Sequence, residues 1–248
     1  KVVSALADAG TTALVLKGAL LAHTVYPRPE CRLRSDLDLL TEPAQMQRVE
    51  DVLMALGYRR PMEVQSAMPM RQTMWTRQDG RQTFSVDLHW DLRNHPALQE
   101  RFGFQELVRL AEPLPGLVDG AMGMGRVHAL LNASMHYFND YADARPCQWL
   151  LDTDLLWRAM TPDERQQCMQ IACERGLAGL LAESLVRARR IFDTPVTDSE
   201  IGSLRAAGNG QWCTGLVSAN EARWSAYLFA LRSEPGLRRK LFRIRSGL

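Results

Sequence analysis

The sequence predicts an α+β chain in which a small mixed sheet with its helices precedes an all-helical region. Three observations carry this expectation. Short β-forming runs at 12–16 (TALVL), 36–40 (DLDLL) and 83–90 (TFSVDLHW) are interspersed with helical patterns. The character of the chain changes near residue 120. From there almost to the end, apolar residues recur at helical spacing. This reading sets an α/β domain over 1–118 and a helical domain over 119–248.

The elements follow in order. Residues 2–9 read as a helix end closed by Gly10. The run 12–16 is short and apolar enough to be a buried strand. Residues 18–26 have helical spacing and stop before Pro27. In 36–40, charge alternates with Leu, the period of a strand with one polar face. Over 44–56, Met46, Val49, Leu53 and Leu56 form one helical stripe, with Gly57 at the C′ position. Segments around 69–77 and 81–90 flank Asp79-Gly80, a hairpin signal. Helices are expected at 126–138, 147–160, 163–175, 177–191 and 199–207. The third opens on Thr161-Pro162-Asp163-Glu164, with Thr as N-cap and Pro at the first helical position. Residues 209–236 fit no single pattern. The tail carries Arg238, Arg239, Lys240, Arg243 and Arg245. It reads as a solvated helix face, an ion-pairing surface or an edge strand, and as a functional feature it could meet RNA or an acidic partner.

Composition bounds the function. Of 248 residues, 46% are hydrophobic and 23% charged, which excludes global disorder. The net charge of +2 by itself argues neither for nor against nucleic acid. Five Cys (31, 147, 168, 173 and 213) are scattered without a CxxC pair, so zinc-finger spacing is absent. Free thiols in a reducing compartment, and hence a cytoplasmic location, are the expectation. No apolar run nears the ~18 residues of a membrane span, so no membrane partner is expected. The first ten residues, KVVSALADAG, lack both an initiator Met and the build of a signal peptide. The basic residues are 27 Arg and only three Lys (Lys1, Lys17, Lys240), which makes Lys17 a rare choice in this chain.

The informative segment is 14–40, LVLKGALLAHTVYPRPECRLRSDLDLL. A strand runs into Lys17-Gly18, a helix follows, and a loop delivers Arg32, Arg34, Ser35, Asp36 and Asp38. Residues i and i+2 of a strand share a face, so Asp36 and Asp38 project together while Leu37 and Leu39 turn to the core. Paired carboxylates repel unless a cation lies between them. Mg²⁺ suits such an oxygen site, because it takes one or two carboxylates and completes its shell with water and phosphate oxygens. A two-metal site needs a third carboxylate from a neighbouring strand. Asp87, between Val86 and Leu88, is the candidate, since an unpaired charge between core-facing residues is costly.

Gly after a strand, a helix, D-x-D on the next strand and a lone Asp on a third together resemble the DNA polymerase β-like nucleotidyltransferase superfamily. More narrowly, LKG, then R-x-x-x-D-x-D-L-L, then V-D-L-H-W resembles the bacterial family of uncharacterised nucleotidyltransferases, and more distantly the AbiEii-type toxin nucleotidyltransferases. The helical half resembles the same family from Arg126 to about Leu185, through a His-bearing helix and the Trp149-x-x-Asp152 helix. The likeness covers roughly 12–190.

The resemblance implies a nucleotidyltransferase domain with its active site in the cleft toward the helical domain. It implies that Asp36 and Asp38 bind the metal, Mg²⁺ or Mn²⁺, that carries a nucleoside triphosphate. Asp87 would complete the metal set and help deprotonate an acceptor hydroxyl. Gly18 at a helix N-terminus would let backbone N–H groups approach a phosphate. Lys17 and Arg32 would neutralise the triphosphate, and Ser35 would hydrogen-bond it. Two departures stand out: the superfamily has Gly-Gly or Gly-Ser where this chain has Gly18-Ala19, and the gap from Gly18 to Asp36 is longer than in its minimal members, matching the longer LKG subfamily better.

Weaker candidates surround this group. His89 and Asp91 share the expected strand face of Asp87. His128, Asn132 and His136 are spaced four apart on one helix face, and Asp140 extends the row. They read as a polar wall for nucleotide or acceptor, as a solvated face, or as buried His satisfied by Asp152. The Trp residues (75, 90, 149, 157, 212 and 224) read mainly as core.

The expected reaction is metal-dependent transfer of an NMP unit from an NTP to an acceptor hydroxyl or phosphate, releasing pyrophosphate. Members of the resembling family occur beside kinases and peptide-modifying enzymes in natural-product gene clusters, including lasso-peptide ones. This makes a peptide or phosphopeptide acceptor a candidate, and small molecules stay open; with a net charge of only +2 and no continuous basic stretch in the first half, both rank above the tRNA to which the toxin relatives point. A non-catalytic module that binds nucleotide or a partner on the same fold is the alternative from another class.

Overall fold

The computed structural model describes residues 1–60, 70–139, 147–210 and 215–216. Asp140, Cys213, Trp212, Trp224 and the Arg-rich tail therefore lie outside the described residues. The chain divides into two compact units. The first comprises 1–94 and 102–125, and the second 95–101 together with the chain from Arg126 onward.

The first unit is built on a six-stranded mixed sheet with helices. Its strands are β1 (Ala13–Val15), β2 (Asp36–Thr41), β3 (Gln72–Asp79), β4 (Gln82–His89), β5 (Glu112–Pro113) and β6 (Met122–Gly123). They lie in the order β3-β4-β2-β1-β6-β5. β1 runs antiparallel to β2 and parallel to β6, and β2 runs parallel to β4. β3–β4 and β5–β6 are antiparallel pairs. The central strands are apolar because they are covered: Leu14, Val15, Leu39 and Leu88 have no exposed surface. Burying such a side chain contributes about 2 kcal/mol.

Three helices accompany these strands early in the chain: α1 (Val2–Asp8), α2 (Lys17–Thr24) and α3 (Met46–Ala55). α1 packs against α3, and α2 against β2. The α3 stripe buries Val49 and Leu53 completely, while Met46 and Leu56 are half-buried. The β3–β4 hairpin differs from expectation by one residue. Asp79 pairs with Gln82 as the last rung, so the turn is Gly80-Arg81 rather than Asp79-Gly80. Gly80 takes φ +58°, which a two-residue hairpin loop needs at its first position. The short α4 (Phe104–Arg109), β5 and β6 have no counterpart in the sequence reading. Two-residue strands are too short to show a period.

The secondary-structure elements of the second unit are all helices among its described residues. It contains α5 (Arg126–Asn139), α6 (Cys147–Ala159), α7 (Pro162–Glu174), α8 (Ala178–Phe192) and α9 (Asp198–Gly208). These bounds match the expected helices to within a residue or so. Caps account for two of the starts. Thr161 accepts from the Glu164 backbone N–H while Glu164 reaches back to the Thr161 N–H, and Thr197 and Glu200 repeat the arrangement at α9. Each reciprocal cap satisfies otherwise orphaned N–H groups and stabilises its helix by about 1 kcal/mol. Trp157 is fully buried, and its indole N–H donates to the Pro195 carbonyl at 3.1 Å. No helix among the described residues is long and apolar enough to cross a membrane.

Candidate active site

The site grows out of strand register. β2 and β4 are parallel neighbours, and Asp38 stands directly opposite Asp87, with Leu40 opposite His89. Alternation along each strand puts Asp36, Asp38, Asp87 and His89 on one face. Leu37, Leu39, Val86 and Leu88 occupy the other.

Donor atoms of Asp38, Asp87 and His89 lie within 4.8 Å of one another. Among the described residues this is the one cluster able to hold a metal ion. Two carboxylates and an imidazole fit a divalent cation that also takes phosphate oxygens. Asp36 lies outside the cluster, two residues earlier on β2 and opposite Ser85. His89, weighed from sequence only as a weak candidate, stands within it.

Lys17 reaches into the same group. Its Nζ lies 2.7 Å from Asp38 Oδ1 and 3.4 Å from His89 Nε2. Lys17 begins α2 directly after β1 with φ +44°, a left-handed backbone that costs a non-glycine residue roughly 1 kcal/mol or more. Strain of this kind persists only where the surroundings hold it.

The electrostatics separate the acids. Burial alone would raise Asp38, but the hydrogen bond from His89 and the Lys17 ammonium outweigh it and hold the carboxyl well below the usual carboxylate range. Asp36 is raised, first by burial and then by the Asp38 charge. His89 is 1% exposed, and burial, followed by the nearby Lys17 charge, lowers its pKa to about 4. The imidazole is therefore neutral near pH 7. With Asp38 ionised, its Nε2–H donates to Asp38 Oδ1 at 3.0 Å, a hydrogen bond rather than an ion pair. His89 Nδ1 is buried without a hydrogen-bond partner among the described residues.

Gln72 on β3 stands opposite His89 and donates from Nε2 to Asp87 Oδ2 at 3.1 Å. Sequence reasoning missed it, because a Gln at a strand start reads as ordinary polar surface. The pairing of β3 with β4 is what brings it to Asp87.

The loop before β2 lies against the start of α2. A Cβ added to Gly18 would meet Arg34 Cβ at 3.2 Å and Arg32 Nη1 at 4.0 Å, so this close approach favours Gly. Arg32 is 7% exposed, donates to the Leu33 carbonyl and acts by its charge on Asp36. Ser35 is exposed just before the strand. Ala19 is 3% exposed, beside the buried Leu20 and Leu21. Its position in the apolar face of α2 gives a physical reason for the missing hydroxyl. Asp91 lies beyond the end of β4 and accepts a bond from the Arg93 backbone at 3.5 Å.

His128, Asn132 and His136 lie on α5 in the second unit. His128 and Asn132 are 2% and 3% exposed, which overturns the solvated-face alternative. His136 stacks at a tilt on Trp149, with ring centroids 4.4 Å apart, and Asp152 is buried. Trp75 and Trp157 are core, as expected. Cys31, Cys147, Cys168 and Cys173 are free thiols.

A mixed sheet with carboxylates in register, entered beside a Lys-Gly helix start, is the arrangement the nucleotidyltransferase resemblance implies. A family model for an uncharacterised nucleotidyltransferase matches residues 1–193, and the chain belongs to that family. None of the curated proteins matches the chain significantly. Solved structures with some likeness include the antibiotic-resistance factor ANT(2'')-Ia, at 13% identity and TM-score 0.49, covering 73% of this chain and 91% of that one. JHP933 from Helicobacter pylori follows at 12% identity and TM-score 0.39, covering 93% of each chain. A further Helicobacter pylori protein, described as a nucleotidyltransferase, has 11% identity and TM-score 0.39, covering 89% of this chain and 92% of that one.

Proposed function

We propose that the protein moves an NMP unit from a nucleoside triphosphate to an acceptor hydroxyl or phosphate on a peptide, protein or small molecule. The observation that carries this reading is the register pairing of Asp38 with Asp87, with Lys17 beside them at the start of α2. Asp38 and Asp87 would hold the divalent cation, Mg²⁺ or Mn²⁺, with Asp36 as a further carboxylate on the same face and His89 able to join through Nε2 only when its proton moves off that nitrogen. When bound, the cation neutralises the triphosphate and the charge that develops on the leaving pyrophosphate.

The chain's own residues do the rest. Gly18 at the start of α2 gives phosphate oxygens access to backbone N–H groups. Arg32 and Lys17 add positive charge at the leaving group, and Ser35 offers a hydroxyl to a phosphate oxygen. Asp87, fixed by Gln72, accepts the proton of the acceptor hydroxyl. The acceptor oxygen then bonds to the α-phosphorus as the bond from that phosphorus to the bridging oxygen of pyrophosphate breaks. With a phosphate acceptor the attacking oxygen is already ionised and needs no base.

Calorimetric titration with each of the four NTPs, with and without Mg²⁺, tests the reading. Metal-dependent binding of one NTP that vanishes in Asp36→Ala/Asp38→Ala supports it. Failure to bind any NTP, even with metal, would overturn it in favour of partner binding on the same fold.

A further inference from the structure

We infer that Lys17 is the internal counter-cation of the metal site: its ammonium competes with the divalent ion for Asp38 and moves to the triphosphate when metal and nucleotide arrive. The inference rests on the nucleotidyltransferase reading and adds a direction to it. The metal alone binds against Lys17, whereas metal with a phosphate chain binds with its help.

Three observations converge. First, Lys17 Nζ sits 2.7 Å from Asp38 Oδ1, an oxygen that already takes the His89 hydrogen bond at 3.0 Å. A cation drawing on the same carboxylate oxygen meets a positive charge at hydrogen-bond distance. Second, Lys17 lies at the first turn of α2, where its backbone is held at φ +44°. The surroundings support a strained residue there, and its side chain reaches Asp38 from that position. Third, this chain uses 27 Arg and three Lys, yet a Lys stands here. An Arg fork would grip a carboxylate through two parallel bonds, while an ammonium is a compact point charge on a flexible stem. A cation that must leave one anion for another is better served by the second kind.

The side chain has somewhere to go. Lys17 is 16% exposed at its side chain and Asp38 only 5%, so the ammonium has the more open end of the pair. It adjoins Gly18, where the proposed phosphates would approach.

The test measures Mn²⁺ binding by electron paramagnetic resonance, with and without inorganic tripolyphosphate, in wild type, Lys17→Gln and Lys17→Arg. An opposite charge in contact shifts an ionic equilibrium by about tenfold or more. Lys17→Gln should therefore bind free Mn²⁺ about tenfold more tightly than wild type and Mn²⁺–tripolyphosphate about tenfold more weakly. Lys17→Arg should bind free Mn²⁺ no better than wild type. Equal or weaker binding of free Mn²⁺ by Lys17→Gln overturns the inference and leaves the nucleotidyltransferase reading standing. Absence of Mn²⁺ binding in all three proteins, with and without tripolyphosphate, overturns both.

A second readout needs no variant. The chain has three lysines, so acylation of Lys17 can be followed by mass spectrometry. Mn²⁺ alone should raise Lys17 acylation as the ammonium leaves its ion pair, and tripolyphosphate added with it should suppress the reaction. Acylation indifferent to Mn²⁺ overturns the inference.

Discussion

Asp38 and Asp87 face each other across two parallel strands, separated by 49 positions in sequence yet directly opposed in register. The two carboxylates do not have equal surroundings. Asp38 is buried and held by His89 and Lys17, whereas Asp87 is half-buried and held by Gln72. The buried acid is suited to fix a cation, and the more open one to meet an acceptor.

Asp87→Asn should therefore abolish most turnover while leaving much of the NTP affinity. A drop of about 100-fold or more in pyrophosphate release is expected from losing a general base. Calorimetry on the same variant should still register NTP. Normal turnover would remove Asp87 from the mechanism.

Gln72 positions Asp87 and touches no substrate in the proposed reaction. Gln72→Ala should lower kcat about tenfold with little change in KM for the NTP, because Asp38 still fixes the cation while Asp87, the proton acceptor, loses its support. Gln72→Asn, which keeps the amide, should recover part of the loss. A rise in KM with kcat unchanged would assign Gln72 to nucleotide binding.

The neutral, buried His89 couples the site to pH. Its pKa falls from 6.5 to about 4 on folding, first through burial and then through Lys17. Between those values the unfolded chain binds a proton that the native chain does not. Stability therefore rises with pH across that window and is lost as pH falls through it. Asp38, held below its unfolded value, adds a loss at lower pH still. Asp36, raised on folding, has the opposite sign and costs stability as pH rises past its unfolded value. Urea midpoints measured from pH 7 to pH 4 should fall, and His89→Gln should flatten the fall. An unchanged slope in that variant would locate the titration elsewhere.

Ala19 departs from the Gly-Gly or Gly-Ser pair of the superfamily. At 3% exposure among buried leucines, a hydroxyl there would have only a carbonyl of the preceding turn to bond, as Thr24 has in Leu20. Ala19→Ser should lower stability by about 1 kcal/mol and leave NTP affinity unchanged. Tighter NTP binding would show instead that the loop lacks a phosphate donor.

What could be read beforehand depended on local pattern. The alternation in DLDLL named β2 and put Asp36 and Asp38 on one face, and Thr161-Pro162 with Glu164 marked the start of α7. Lys17, Asp38 and Asp87 were legible because each is an odd residue for its place: a lysine among arginines, and acids among core apolar residues. His89 was only half legible, since its bond to Asp38 depends on β2–β4 register and not on any spacing within β4. Gln72 was hidden because its role arises only when β3 folds back on β4. β5 and β6 escaped for a different reason, because a two-residue strand is defined by its partner and has no period of its own.

The sheet also constrains how the molecule can be divided. β6, at Met122–Gly123, is the parallel partner of β1, at Ala13–Val15, so the first unit is not finished until the chain has passed residue 123. Before that, residues 95–101 belong to the helical unit and 102–125 return to the first, so the polypeptide changes unit more than once. A fragment ending at Asn94 or at Val118 would leave β1 with an open edge where β6 belongs. During synthesis the same edge stays unpaired until more than a hundred further residues have emerged, and the strand leading into Lys17 is among the last to gain both neighbours. Completion of the sheet around β1 is thus tied to synthesis of the chain's first half, and no single cut separates the two units cleanly.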